Sequence, residues 1–247
     1  MKILGIIPAR MASTRFPAKA LVDIGGKSMV QRVYEQASAA QKLDKVIVAT
    51  DHEDIRRHVH SFGGMAVITS EDHPSGTDRC REALDKETAQ YDYVINIQGD
   101  EPFIHPETID ELAALLDGTT QLATLVNRIK DASLLFRPTI MKVIFNKHYE
   151  ALYFSRECIP YIRGYDRQEW LKHHDFYKHV CIYAYRADIL QEVTRLPLSG
   201  LEKAESLEQL RWLENGYPIK IGITQHESIS IDTPEDLERA KQIMGIH

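Results

Sequence analysis

The chain has 247 residues, 43% apolar and 27% charged, with 30 Lys+Arg against 36 Asp+Glu and a formal charge of −6. That length buries a core without disulfides or a structural metal, and the balance excludes collagen, a disulfide scaffold and a disordered tail. The acidic excess argues against a surface that attracts nucleic acid as a whole, and no apolar stretch reaches the roughly 18 residues that span a membrane.

Residues 2–8 form a continuous apolar run, which predicts a central parallel strand covered on both faces. A signal peptide is the weaker reading, because Arg10, Arg15 and Lys19 follow at once. Met29, Val30, Val33, Tyr34 and Ala37 then recur at helical spacing. Strands are expected over 45–49 and 65–69 with a helix over 53–62 between them. A helix over 77–87 takes Thr77 as its N-cap, a buried strand covers 93–97, and Pro106 opens a helix to 116. This βαβ series predicts an α/β chain with a doubly wound sheet.

The second half is less regular. Strands are expected over 122–126, 141–145, 178–185 and 219–223, and a helix over 205–215 ended by Gly216. Thr233-Pro234-Glu235-Asp236 reads as an N-cap, a first-turn proline and an N3 acid opening the last helix. Between 156 and 177 the aromatics Tyr161, Tyr165, Trp170, Phe176 and Tyr177 follow no period, so this span is expected to be a lid, an insertion or a partner-facing surface. Repeats and flexible linkers are absent, so 1–247 reads as one domain with an irregular segment around 145–178. Three scattered cysteines, Cys80, Cys158 and Cys181, give neither metal spacing nor a disulfide framework, which points to a reducing cytoplasm.

Four motifs carry chemistry. Pro8-Ala9-Arg10-Met11-Ala12-Ser13-Thr14-Arg15-Phe16-Pro17-Ala18-Lys19 follows the first strand, where open α/β sheets bind ligands. Backbone amides at small residues, with Arg and Lys around them, are the chemistry of polyphosphate recognition; the plainer reading is a solvated basic loop. Gln98-Gly99-Asp100-Glu101-Pro102 puts an acid at a strand's carboxyl end, which suits Mg²⁺ held by few carboxylates plus substrate phosphates, or a turn cap. Asp232 likewise ends an apolar stretch, and the two acids could share a metal if their strand ends are neighbours. Ser75-Gly76-Thr77-Asp78-Arg79 is a helix start that reads as an ordinary cap or as a seat for a base or ribose. Gly25-Gly26-Lys27-Ser28 resembles the end of a P-loop, but Leu21 stands where the first glycine belongs, so it reads as a plain turn. His179 and Tyr183 share a strand face, and His58, His60, His173 and His174 have no zinc-type surroundings.

In this order the motifs resemble the 3-deoxy-manno-octulosonate (Kdo) cytidylyltransferase family, the CMP-Kdo synthetases of Gram-negative bacteria, over essentially the whole chain. Ala49-Thr50-Asp51 is a further carrier of the resemblance, and the Tyr153-Phe154-Ser155-Arg156 and Leu207-Glu208-Gln209-Leu210 blocks sharpen the match beyond other CMP-sugar-acid synthetases. The resemblance implies a Rossmann-like three-layer sandwich with a mainly parallel sheet and a smaller lid or dimerisation insertion, CTP and a sugar acid as substrates, Mg²⁺ as cofactor, and a homodimer. It implies that Arg10, Ser13, Arg15 and Lys19 bind the triphosphate and that Ser75, Gly76 and Arg79 lie by the nucleoside. Asp100 and Asp232 would hold the metal. Gln98, Arg156, Arg163, His179, Tyr183, Glu208 and Gln209 would line the sugar pocket. Arg10, Lys19, Asp100 and Asp232 would carry the catalysis: CMP passes from CTP to Kdo with release of pyrophosphate, for lipopolysaccharide synthesis. The other readings are a cytidylyltransferase for sialic acid or 8-amino-Kdo, and a nucleotide-binding module without turnover. Departures from the family are Ala18 and Ala20 for a common Gly and Pro, a one-residue shortening before Asp232 with Ser230 for a glycine, and Tyr161-Ile162 for a more polar pair before Arg163.

Overall fold

The computed structural model describes residues 1–12 and 16–245. In chain order the strands are β1 (Ile3–Ala9), β2 (Lys45–Thr50), β3 (Ala66–Ile68), β4 (Tyr93–Asn96), β5 (Leu122–Arg128), β6 (Lys142–Phe145), β7 (Ala151–Ser155), β8 (Tyr177–Arg186) and β9 (Ile219–Thr224). The helices are α1 (Met29–Ala39), α2 (Glu53–Ser61), α3 (Gly76–Asp85), α4 (Pro106–Ala113), α5 (Ala132–Leu135), α6 (Trp170–His173), α7 (Ala187–Val193), α8 (Gly200–Glu205), α9 (Gln209–Glu214) and α10 (Pro234–Met244).

One sheet runs in the order β3-β2-β1-β4-β8-β5-β9, mostly parallel, with β8 antiparallel to both β4 and β5. The β6–β7 hairpin joins the first half of β8. Residues alternate across β1: Ile3 and Ile7 face Val30, Val33 and Ile55 of α1 and α2, while Leu4 and Ile6 face Cys80 of α3 and Trp212 of α9. Both faces are covered, which is why the run is continuously apolar. After β1 the chain moves to β2 and β3 on one side and returns to place β4 on the other, so the carboxyl ends of β1 and β4 open a crevice at a topological switch point. Gly25 and Gly26 take positive φ before α1, and Lys27 pairs with Glu35 at 2.6 Å on the surface, so that segment is the expected turn.

Several expectations are corrected. The α3 cap is Ser75, whose side chain accepts the Asp78 N–H; Thr77 is buried and its hydroxyl donates to Glu208 instead. The helix expected over 205–215 is the shorter α9, because Ser206 takes a left-handed φ of 52° and ends a separate, unexpected helix, α8, which the Ser199–Glu202 capping box starts. Strand β7 and helix α7 were not anticipated. The segment after β7 has its own small core: Trp170 and Phe176 are buried with Ile129 and Leu135, so lack of period there does not mean lack of burial. Tyr161 and Tyr165 of the same segment remain exposed.

Candidate active site

Three side chains meet where β1, β4 and the segment before α10 converge. Lys19 Nζ donates to Asp100 Oδ2 at 2.8 Å and to Asp232 Oδ1 at 3.1 Å. Gly99 makes the approach possible, because a Cβ there would stand 2.5 Å from the Pro8 carbonyl oxygen. Asp232 is brought in by the Ile231 N–H, which donates to the Asp100 carbonyl at 2.9 Å, so the shortened segment still delivers it. Thr233 and Asp236 form the expected capping box, and Asp236 also accepts the Asp232 N–H at 3.2 Å. Two carboxylates turned toward one cationic nitrogen are hard oxygen donors in a place that suits a divalent cation. Among the described residues no third His, Cys, Asp or Glu completes a cage, which fits Mg²⁺ that completes its shell from substrate phosphates and water.

The cleft is lined by Arg10, Lys19 and Ala20 from the loop after β1, by Ser75, Gly76 and Arg79 at the start of α3, and by Gln98 and Asp100 after β4. Arg10 is exposed there. Ser13 and Arg15 lie outside the described residues. A Cβ on Gly76 would meet only ordinary contacts, 3.5 Å from Pro8 Cγ being the nearest, so nothing within the protein demands glycine at that position. Arg79 is fixed rather than free: Nη1 donates to Thr69 Oγ1 at 2.6 Å and Nη2 to Asp51 at 3.2 Å. His73, which sequence reasoning passed over, borders the cleft and contacts Glu82. Burial opposes ionisation of Glu82, but hydrogen bonds from Lys86, the Ser70 N–H and His73 outweigh it and bring its carboxyl down to about 2.

The expected sugar residues are only partly assembled. Glu208 accepts Thr77 Oγ1 at 2.6 Å and Arg211 Nη2 at 2.9 Å, so it braces the start of α3; burial raises its carboxyl against those contacts. Tyr183 lies beside His179, ring centroids 5.0 Å apart, despite the break in register between β5 and β8. The Tyr183 hydroxyl and the Gln209 amide nitrogen are buried without a hydrogen-bond partner, as are Asn96 Oδ1 and Trp212 Nε1, neither of which the sequence singled out. Such orphaned groups need an explanation, and a polar ligand is one. His179 donates or accepts with Thr124 Oγ1 at 2.9 Å, and burial pushes its imidazole down to about 3, so it is neutral at working pH and a weak base. Arg156 is not brought to the cleft: Nε donates to the Glu205 carbonyl at 2.7 Å, Nη1 to Pro138 at 3.2 Å and Nη2 to Ser206 at 3.3 Å. Arg163 is exposed on the segment before α6. Glu101, also passed over, is buried behind Asp100; burial and the Asp100 charge push its carboxyl up to about 7. A larger cavity lies elsewhere, between Arg128, Phe145, Pro160 and His174, and contains none of the expected site residues.

The cytidylyltransferase family model matches residues 4–243. The 3-deoxy-manno-octulosonate cytidylyltransferase of Parabacteroides distasonis is 58% identical over 245 residues, 97% of each chain. That of Bacteroides thetaiotaomicron is 54% identical, over 99% of this chain and 98% of its own. A CMP:2-keto-3-deoxy-manno-octonic acid synthetase solved in complex with CTP superposes with a TM-score of 0.92 at 41% identity, covering 99% of both chains. The 4-diphosphocytidyl-2C-methyl-D-erythritol synthase of Anaerococcus prevotii, at 13% identity and a TM-score of 0.65, shares the fold alone. Among the described residues no helix is long and apolar enough to cross a membrane. The chain belongs to the 3-deoxy-manno-octulosonate cytidylyltransferase family.

Proposed function

We propose that this protein transfers CMP from CTP to 3-deoxy-manno-octulosonate and releases pyrophosphate. The observation that carries the reading is Lys19 held between Asp100 and Asp232 at a strand-end crevice, in a chain 58% identical to a relative that bears this name. The anomeric hydroxyl attacks the α-phosphorus in line, and the bond to the departing pyrophosphate breaks. Negative charge grows on both phosphate groups, and Arg10 and Lys19 are the cations of the described cleft that offset it. Ser13 and Arg15 complete the triphosphate contacts in this reading. Asp100 and Asp232 would hold Mg²⁺, which when bound supplies further positive charge to the phosphate oxygens. Ser75, Gly76 and Arg79 take the nucleoside.

Gln98, Tyr183, Glu208 and Gln209 take the sugar acid, with His179 as a neutral neighbour and not a base. Arg156 and Arg163 remain the candidates for its carboxylate; Arg156 must first give up carbonyl partners at the end of α8. The protein works in the cytoplasm as a homodimer, with the segment 145–178 at the dimer contact or over the sugar. Pyrophosphate release across four nucleotides and a panel of sugar acids tests the reading. CTP with Kdo should be preferred; preference for sialic acid or 8-amino-Kdo, or no release with any pair, would overturn it.

A further inference from the structure

Asp51 follows β2, and its two carboxylate oxygens serve two different segments that border the cleft. One accepts the Met11 N–H at 3.0 Å, in the loop that carries Arg10 and Lys19. The other accepts Arg79 Nη2 at 3.2 Å. The second arm of that guanidinium donates to Thr69 Oγ1 at 2.6 Å, and the Thr69 hydroxyl in turn donates to the Thr50 carbonyl at 3.2 Å. The Arg79 side chain is 4% exposed and the Asp51 side chain 10%. Arg79 also stands in the first turn of α3, the end of a helix that disfavours a cation. A buried cation in that position needs a fixed anion, and Asp51 is the carboxylate paired with it.

We propose that Asp51 is a positioning residue for the nucleotide: one carboxylate sets both the start of the β1 loop and the guanidinium of Arg79, and so fixes the distance between the two segments that grip CTP. It touches no reacting atom. Neutralising it unties Arg79 on the nucleoside segment and loosens the Met11 amide on the phosphate segment, while the residues expected around the sugar keep their partners. The inference rests on the CTP reading above.

Calorimetric binding of CTP, with KM values for both substrates, tests it. Losing a charge-assisted contact to Arg79 should weaken CTP binding by D51N about tenfold or more, with KM for Kdo within about twofold of the parent. D51A, which also frees the Met11 N–H, should lose more. T69V, which removes only the second anchor of Arg79, should shift CTP binding the same way and less, and it keeps the test alive if D51A fails to fold. In an R79Q background D51N should add no more than about twofold, because the two act as a unit. A D51N enzyme that binds CTP as the parent does, a sugar KM that rises in step, or additive losses in the double variant would each overturn the inference. A parent enzyme that binds no CTP would overturn the functional reading instead.

Discussion

Lys19→Met is the sharpest test of the cleft, because it keeps the apolar stem and removes only the charge. The two oxygens it bridges lie 2.8 and 3.1 Å from one nitrogen, so they can be no more than about 6 Å apart. Two like charges at about 6 Å repel by about 3 kcal/mol at an effective dielectric constant of 20. The Asp100 and Asp232 side chains are 26% and 36% exposed, so screening reduces this to about 1 kcal/mol, and added salt should shrink it further. Turnover should suffer far more than stability. Removing one preorganised charge partner of a developing anion costs about 10²–10³-fold in rate. Lys27→Met is the control: Lys27 is 47% exposed and pairs with Glu35 on a neighbouring turn, so its loss should cost under about 1 kcal/mol and leave turnover unchanged. Pyrophosphate release at saturating CTP and Kdo, with thermal melts at low and high salt, reads both effects. A Lys19→Met enzyme within about threefold of the parent, or a larger loss at Lys27, would mean that the wrong loop has been assigned to the phosphates.

Glu101 has a folded-state pKa of about 7, raised from 4.5 chiefly by burial, so it favours the fold fully below 4.5 and loses that contribution as pH rises through 7. Glu101→Gln should therefore stabilise the protein at pH 8 by at most about 3 kcal/mol, read as a higher melting temperature, and make no difference near pH 4; an equal gain at both would refute the burial argument. Ala18 holds a left-handed φ of 52°, where a side chain costs about 1–2 kcal/mol and glycine's extra chain entropy only about 0.5–1. Ala18→Gly should raise the melting temperature by about 2 °C, and a fall would refute it. Arg156→Ala strips three carbonyls of their donor and should cost about 1–3 kcal/mol of stability with KM for CTP unchanged; a rise confined to KM for Kdo, with no loss of stability, would return Arg156 to the substrate side.

The buried parallel strands were legible because burial on both faces leaves a continuous apolar run, as in Ile3–Ala9 and Tyr93–Asn96. The α8–α9 break was not, because the left-handed residue is Ser206, and serine gives no signal for that conformation where glycine would. Strand β7 escaped because Leu152 is exposed while Ala151, Phe154 and Ser155 are buried, which erases the alternation an edge strand usually has. The site divides the same way. Asp100 and Asp232 were visible as acids at the ends of apolar stretches, but they meet through a lysine 81 residues from one and 213 from the other. That meeting depends on β4 inserting beside β1, which is a property of topology and not of either motif.

Glycine at position 99 is the local signal that does report this convergence. Any larger residue would drive a Cβ into the Pro8 carbonyl at 2.5 Å and push the β4 turn away from the β1 loop. Asp51 left no comparable steric mark: aspartate is a favoured N-cap and stands just before α2, yet the N-cap of α2 is His52, whose ring accepts the Asp54 N–H at 3.1 Å. The aspartate is thereby left to serve Met11 and Arg79. A carboxylate relieved of the duty its position suggests is one whose partners must be sought across the fold.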